Sequence, residues 1–138
     1  MVQRIAFRSS LFSLALIAGT ALGSGGLLAG DRPLQVIVSK QQQSLVVYDG
    51  DTVIATSHVS TGKKGHSTPT GIFSILQKAR HHRSNIYSDA PMPFMQRLTW
   101  SGIALHASGH VPPYPASHGC VRMPNDFAKS LYGMTDRK

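Results

Sequence analysis

The sequence predicts a mainly β protein, an antiparallel sandwich or barrel-like fold that carries one short helix. Three observations predict it. Short β-branched runs of period-two character recur from Leu34 onward, clusters of turn formers separate them, and only one stretch near the C-terminal end spaces its apolar residues like a helix. At 138 residues, 41% hydrophobic and 14% charged, the chain has room for one domain plus a short segment and is not a disordered composition.

Residues 1–30 stand outside the β pattern. Arg4 and Arg8 precede the apolar run Leu11–Leu22, a positive start followed by a short apolar centre, which is the form of a secretory signal. The run is shorter than the roughly 20 apolar residues that span a bilayer. Ala21 and Gly23 have the small side chains a signal peptidase prefers, so cleavage is expected near residue 23, with residue 29 as the competing position. The alternative is an uncleaved N-terminal anchor, which would be the chain's only membrane contact. Arg4 and Arg8 are not adjacent and no Cys lies nearby, which argues against a twin-arginine signal and a lipoprotein. The protein is therefore expected to be exported, to the periplasm or cell envelope.

The body of the chain, residues 34–138, reads as strands. Leu34–Val38 and Ser44–Tyr48 form a hairpin around Lys40–Gln43; Asp49-Gly50-Asp51 turns the chain into Thr52–Ser60. A loop from Gly62 to Pro69 leads to Ile72–Leu76, expected as a further strand. Residues 79–96 have turn formers and no steady period; a loop this long is often a lid or binding wall. Its adjacent His81 and His82 point opposite ways on an extended chain and read as solvated surface residues. Strand character returns at Gln96–Trp100 and Ile103–His106. Asn125 is the expected N-cap of the helix, Phe127, Leu131 and Tyr132 its apolar face, and Gly133 its stop.

Charge narrows the partners. The chain has 14 Lys plus Arg against six acidic residues, none of them Glu, for a formal charge of +8. The basic residues are scattered and have no interleaved aromatics, so nucleic-acid binding is not expected.

Cys120 is the only cysteine. Oxidising compartments favour paired cysteines, and this one has no intramolecular partner. A lone Cys is often a small buried hydrophobe, but Ser117, His118, Gly119 and Arg122 around it do not resemble a core. A free thiol is only a few per cent thiolate at neutral pH, so a nucleophilic Cys needs a base or a cationic neighbour. His106, His110 and His118 are near in sequence. His118 shares the face of Cys120 if the strand is extended and points inward if Gly119 makes a tight turn, whereas His106 ends its own strand and can meet the thiol across the sheet. Gly119 leaves room for the N–H groups of residues 119 and 120 to face a developing oxyanion. Arg122 offers a fixed fork for a carboxylate. Zinc is the rival reading, through His106, His110, His118 and Cys120, although the spacing H-x3-H-x7-H-x-C fits no usual zinc pattern.

Leu105-His106-Ala107 followed by Tyr114-Pro115-Ala116-Ser117-His118-Gly119-Cys120-Val121-Arg122-Met123-Pro124 resembles the signature of the L,D-transpeptidase catalytic domain (YkuD type), a histidine upstream of an S/T-H-G-C-x-R core. Val59-Ser60-Thr61-Gly62, Thr68-Pro69-Thr70-Gly71-Ile72-Phe73 and Met92-Pro93-Phe94-Met95 extend the resemblance from about Leu34 to Tyr132. The resemblance implies Cys120 as nucleophile and His106 as general base, with the Ala107 carbonyl orienting the imidazole. It implies that His118, Gly119 and Ser117 shape the nucleophile turn and oxyanion hole, and that Arg122 binds substrate. Tyr87, in the long loop, is placed with Arg122 as a substrate-binding residue.

The implied reaction is acyl transfer on peptidoglycan stem tetrapeptides. The thiolate displaces a terminal D-alanine, and the acyl group passes to an amine on another stem, to a wall-attached lipoprotein, or to water. Some relatives instead detach wall-bound protein. No metal and no organic cofactor is implied. Family domains usually continue with another strand after the helix, and Gly133–Lys138 has no apolar run, so either the sequence is a fragment or the domain lacks a C-terminal strand. A wall-binding module of the same fold with impaired catalysis is the alternative.

Overall fold

The structure, a computed structural model, describes residues 33–135. The expected signal or anchor at 1–30, with its cleavage positions, lies outside the described residues, as do residues 136–138. Among the described residues no helix is long and apolar enough to cross a membrane.

Two sheets and one helix enclose the core. The first sheet is the expected meander: β1 (Gln35–Ser39), β2 (Ser44–Asp49) and β3 (Thr52–His58) pair antiparallel in that order. Alternation along β2 sends Leu45 and Val47 into the core, and Val36 and Val38 of β1 pack beside them while Ile37 faces out. Asp49-Gly50-Asp51 makes the second turn, with Gly50 at φ +59°. A bulge at Val47/Tyr48 shifts the β2–β3 register.

The second sheet runs β4 (Gln77–Ala79), β5 (Met95–Arg97), β6 (Ala104–Ala107), β7 (Val121–Met123). Here the antiparallel expectation needs correcting, because β6 and β7 are parallel. The chain leaves β6 at Ala107 and wanders through residues 108–120 back to the starting end, so β7 runs alongside β6 in the same direction. Ser60, just past β3, exchanges backbone hydrogen bonds with Arg122 (3.0 and 2.9 Å), which covers the outer edge of β7 and joins the sheets.

Two further strand expectations also change. Ile72–Leu76 is not a strand: pairing starts only where Leu76 N–H donates to Arg97 O (2.8 Å), and Ile72 is fully exposed. A β-prone run needs a neighbour to pack against, and β4 is the edge of its sheet. Gln96–Trp100 shortens to Met95–Arg97, because Leu98 N–H bonds Ile103 O (2.8 Å) and the chain turns, leaving Trp100 78% exposed.

The helix α1 (Asn125–Met134) begins one residue earlier than expected. Pro124 occupies the N-cap position with φ −55° and ψ 145°, no side chain caps it, and Asn125 is the first helical residue. Gly133 does not stop the helix. Lys78 from β4 bonds Tyr132 O (2.6 Å) and Thr135 Oγ1 (2.9 Å) and lies 4.1 Å over the Tyr132 ring, and Thr135 N–H bonds Leu131 O (3.1 Å), so a cation and Thr135 hold terminal carbonyls that a glycine cap would otherwise help resolve. Leu131 and Ala128 are the helix's fully buried residues, and Phe127 packs at their margin. The core they complete (Leu45, Val47, Val59, Leu105, Val121, Met123) lies between the sheets and supports β6 and β7 from behind.

Candidate active site

The parallel β6–β7 pair decides which side chains meet. Leu105 partners Val121 and Ala107 partners Met123, and all four are in the core. Alternation therefore turns Ala104, His106, Cys120 and Arg122 to the opposite face. His106 stands opposite Arg122, and Cys120, one residue before β7, comes beside Ala104. His106 and Cys120 are thus diagonal neighbours on one face of adjacent strands.

His106 is 7% exposed. Its Nδ1 is 2.7 Å from Ala107 O, and because a carbonyl only accepts, Nδ1 carries the proton and Nε2 keeps its lone pair. Burial holds the imidazole below its ordinary value of 6.5; the Ala107 bond raises it in part, and the charges of Arg122 and His82 lower it further. At neutral pH His106 is an uncharged base.

Cys120 is half-buried against Met92, Met95 and Ala104. Its thiol donates to Gly102 O at 3.6 Å rather than to His106. Burial pushes the thiol above its ordinary value of 9.0, against the opposing pull of the Ala104 backbone bond and Arg122. Burial therefore outweighs the cationic neighbour at Cys120, and both shifts favour the neutral form, thiol and imidazole alike.

Both shifts fix a stability window. Below pH 6.5 the unfolded chain binds a proton that folded His106 resists, so stability falls as pH drops. Above pH 9.0 the unfolded chain releases a proton that folded Cys120 keeps, so stability falls as pH rises. Urea midpoints are expected to show both losses in the parent protein, with the acid loss reduced in His106→Gln and the alkaline loss reduced in Cys120→Ser.

The turn before Cys120 is closed from within. Ser117, almost fully buried, donates through Oγ to Cys120 O (2.6 Å) and accepts from Gly119 N–H (3.1 Å). The N–H of Gly119 is thus engaged inside the turn with Ser117 Oγ rather than left open toward an oxyanion. Gly119 has φ +119°, a conformation glycine tolerates best. The 62–68 loop packs on this turn: Lys63 N–H donates to Ser117 O (3.0 Å), and Thr68 Oγ1 accepts from Gly62 N–H and donates to Gly119 O (2.8 Å each). A Cβ on Gly62 would lie 2.7 Å from Thr68 N and 2.9 Å from Gly119 Cα, both backbone atoms that cannot yield cheaply. Gly62→Ala is accordingly expected to destabilise by about 3 kcal/mol, read from the denaturant midpoint.

His118 is exposed and turned away from the core. It stacks on Tyr87 (centroids 4.6 Å, 25°) and meets His66 edge-on (4.9 Å, 71°). Partial desolvation and the positive charges of Lys63, His66 and Arg122 lower its pKa. Tyr87 is held by its loop, its N–H bonding Ser84 Oγ (2.9 Å). Tyr87, His118 and Cys120, with Ile103, Met92 and His82, line a cavity of about 70 Å3; the thiol, not His106, reaches its wall. A wider open groove of about 700 Å3 lies elsewhere, between β2, β3 and the start of α1, and contains neither Cys120 nor His106.

The structure therefore brings together Cys120, His106, Ala107, Ser117, Gly119, Arg122, Tyr87 and His118. His110 is exposed in the 108–120 connection, and among the described residues no three His, Cys, Asp or Glu converge as metal ligands. Sequence reasoning missed four neighbours. His82, expected in solvent, is half-buried on the cavity wall, while His81 is exposed as expected. Since adjacent residues point opposite ways, that pair already signalled that one of the two would face inward. His66 joins the ring stack, Thr68 holds the turn, and Gln43 braces Thr61 from below with bonds of 2.8 and 2.9 Å.

Comparison with known proteins agrees with this geometry. Residues 33–138 match the family profile described as the L,D-transpeptidase catalytic domain (YkuD). No curated protein matches the chain. Among solved structures, an L,D-transpeptidase (Yku) from Stackebrandtia nassauensis is 30% identical, with TM-score 0.68 over 75% of this chain and 51% of that one. An L,D-transpeptidase from Xylanimonas cellulosilytica is 26% identical, with TM-score 0.66 over 72% and 53%. L,D-transpeptidase 1 of Mycobacterium tuberculosis is 26% identical, with TM-score 0.62 over 74% and 56%. The chain spans about half the length of these solved structures.

Proposed function

Because the chain belongs to the L,D-transpeptidase catalytic-domain family, we propose that it is a cysteine acyltransferase acting on peptidoglycan stem tetrapeptides. The observation that carries this reading is the buried His106, its Nδ1 tied to Ala107 O, on the same sheet face as Cys120. A fixed tautomer leaves Nε2 free to take a proton, and the neutral thiol has one to give.

In the first step Sγ turns from Gly102 O toward His106, and Nε2 removes its proton. The thiolate adds to the carbonyl carbon of the residue before the terminal D-alanine, and the carbonyl oxygen becomes an oxyanion facing the N–H of Cys120. Collapse breaks the C–N bond, His106 returns the proton to the departing D-alanine amine, and a thioester remains on Cys120. An acceptor amine then adds to the thioester, its proton passes to His106, and C–S cleavage regenerates the thiol. The acceptor is an amine of a second stem or of a wall-attached lipoprotein; water in its place gives L,D-carboxypeptidase activity. Arg122 and Tyr87 bind the stem peptide beside the thiol. The chain acts after export, in the periplasm or cell envelope, with residues 1–30 as signal or anchor.

Incubating the purified protein with a disaccharide tetrapeptide tests this. Release of D-alanine with formation of a cross-linked dimer or a tripeptide product supports it. Binding without D-alanine release would mean a wall-binding module, and the proposal would fail.

A further inference from the structure

We propose that Thr68 is a positioning residue that aims the N–H of Cys120 at the carbonyl oxygen under attack; this rests on the acyl-transfer reading above. Thr68 is 6% exposed, and its hydroxyl makes two 2.8 Å bonds of opposite sense, accepting from Gly62 N–H and donating to Gly119 O. A hydroxyl has one proton to donate, and this one is committed to Gly119.

The consequence lies in the peptide unit. Gly119 C=O and Cys120 N–H belong to one peptide bond, which is trans like all those described. In a trans peptide the C=O and N–H point in opposite directions. Holding the carbonyl toward Thr68 therefore turns the Cys120 N–H away from Thr68. The two bonds of Ser117 fix the neighbouring peptides, through Gly119 N–H and Cys120 O, and leave the unit between them unheld. That unit follows a glycine at φ +119°, whose backbone is the freest in the turn to rotate. Thr68 is the bond that keeps it from flipping.

Thr68 is itself anchored. Lys40, in the β1–β2 connection, places Nζ 2.6 Å from Thr68 O, 3.1 Å from Ser67 Oγ and 3.3 Å from Thr70 Oγ1. The orientation of the peptide before the nucleophile is thus tied through one hydroxyl to the first sheet.

Two reactions of Cys120 separate aiming from mere integrity of the turn. Alkylation by iodoacetamide displaces iodide at a saturated carbon and develops no oxyanion, whereas acylation by a tetrapeptide does. Thr68→Val, which keeps the branched shape without the hydroxyl, is expected to slow acylation about 10- to 100-fold and to leave the alkylation rate within about twofold of the parent. Thr68→Ser, which restores the hydroxyl, is expected to acylate at nearly the parent rate. Acylation of Thr68→Val within about twofold of the parent, or equal slowing of both reactions, would overturn the inference. If Thr68→Val does not fold, Lys40→Met is read in its place: a smaller loss confined to acylation supports the inference, and no selective loss overturns it. A parent protein that alkylates yet never acylates would instead overturn the acyl-transfer reading, and the inference would fall with it.

Discussion

His106→Gln is expected to slow acylation of Cys120 by about 10²- to 10⁴-fold, the usual contribution of a positioned general base. Gln is similar in size and polar, so the packing of the side chain is expected to survive. What it lacks is a basic nitrogen. With the thiol held above its ordinary value of 9.0 by burial, little thiolate exists at neutral pH without a base to make it. The deficit has a signature in its pH profile. Solvent hydroxide ionises Cys120 above pH 9.0, so the variant is expected to approach the parent rate only on that alkaline side. In the parent, activity is expected to fall on the acid side only below pH 6.5, as His106, held below that ordinary value by burial, takes up a proton, and the variant is expected to lack that limb. Single-turnover rates across the pH range measure both. A variant with the parent rate and the parent acid limb would remove His106 from the chemistry.

Cys120→Ser is expected to reduce acylation by about 10⁴-fold or more, because an alkoxide is far harder to form than a thiolate and the half-buried site gives no cation strong enough to offset that. The fold is expected to survive. Serine is slightly smaller, and its hydroxyl can take over the bond to Gly102 O. Unchanged urea midpoint near neutral pH together with lost D-alanine release would place the effect in the chemistry. Retained release would show that another nucleophile does the work.

Much of the fold was readable where one residue's environment decides its place. Leu45 and Val47 alternate with their neighbours, and they are the centre of the core. Asp49-Gly50-Asp51 turns where its chemistry demands a positive φ. The misses arose where a distant partner decides. Ile72–Leu76 has the composition of a strand but no partner among the described residues beyond the start of β4. The parallel sense of β7 depends on the path of residues 108–120, which no local pattern records. At Gly133 the helix continues, and Lys78, more than fifty residues away, holds the Tyr132 carbonyl at its end.

The site divides along the same line. Ser117, Gly119 and Cys120 act on one another within four residues, so a short string already displayed the turn. His106 was legible as a candidate that ends its own strand, the match to a known signature singled it out from His110 and His118, and the structure places it on the diagonal across β6 and β7. Thr68 lay inside a quoted stretch, Thr68-Pro69-Thr70-Gly71, without a role, because its contact with Gly119 spans 51 positions. His82 and His66 act through ring packing and charge on other histidines, which spacing alone cannot reveal.

The central claim is that Cys120 carries the acyl group during turnover. It is tested most directly by quenching the reaction of the purified protein with a disaccharide tetrapeptide in acid and locating any adduct by intact mass and peptide mapping. We predict a thioester at Cys120 whose mass equals the donor minus D-alanine, absent in Cys120→Ser and accumulating slowly in His106→Gln. D-alanine release from a protein in which Cys120 stays unmodified, or the same adduct on another residue in Cys120→Ser, would contradict the account.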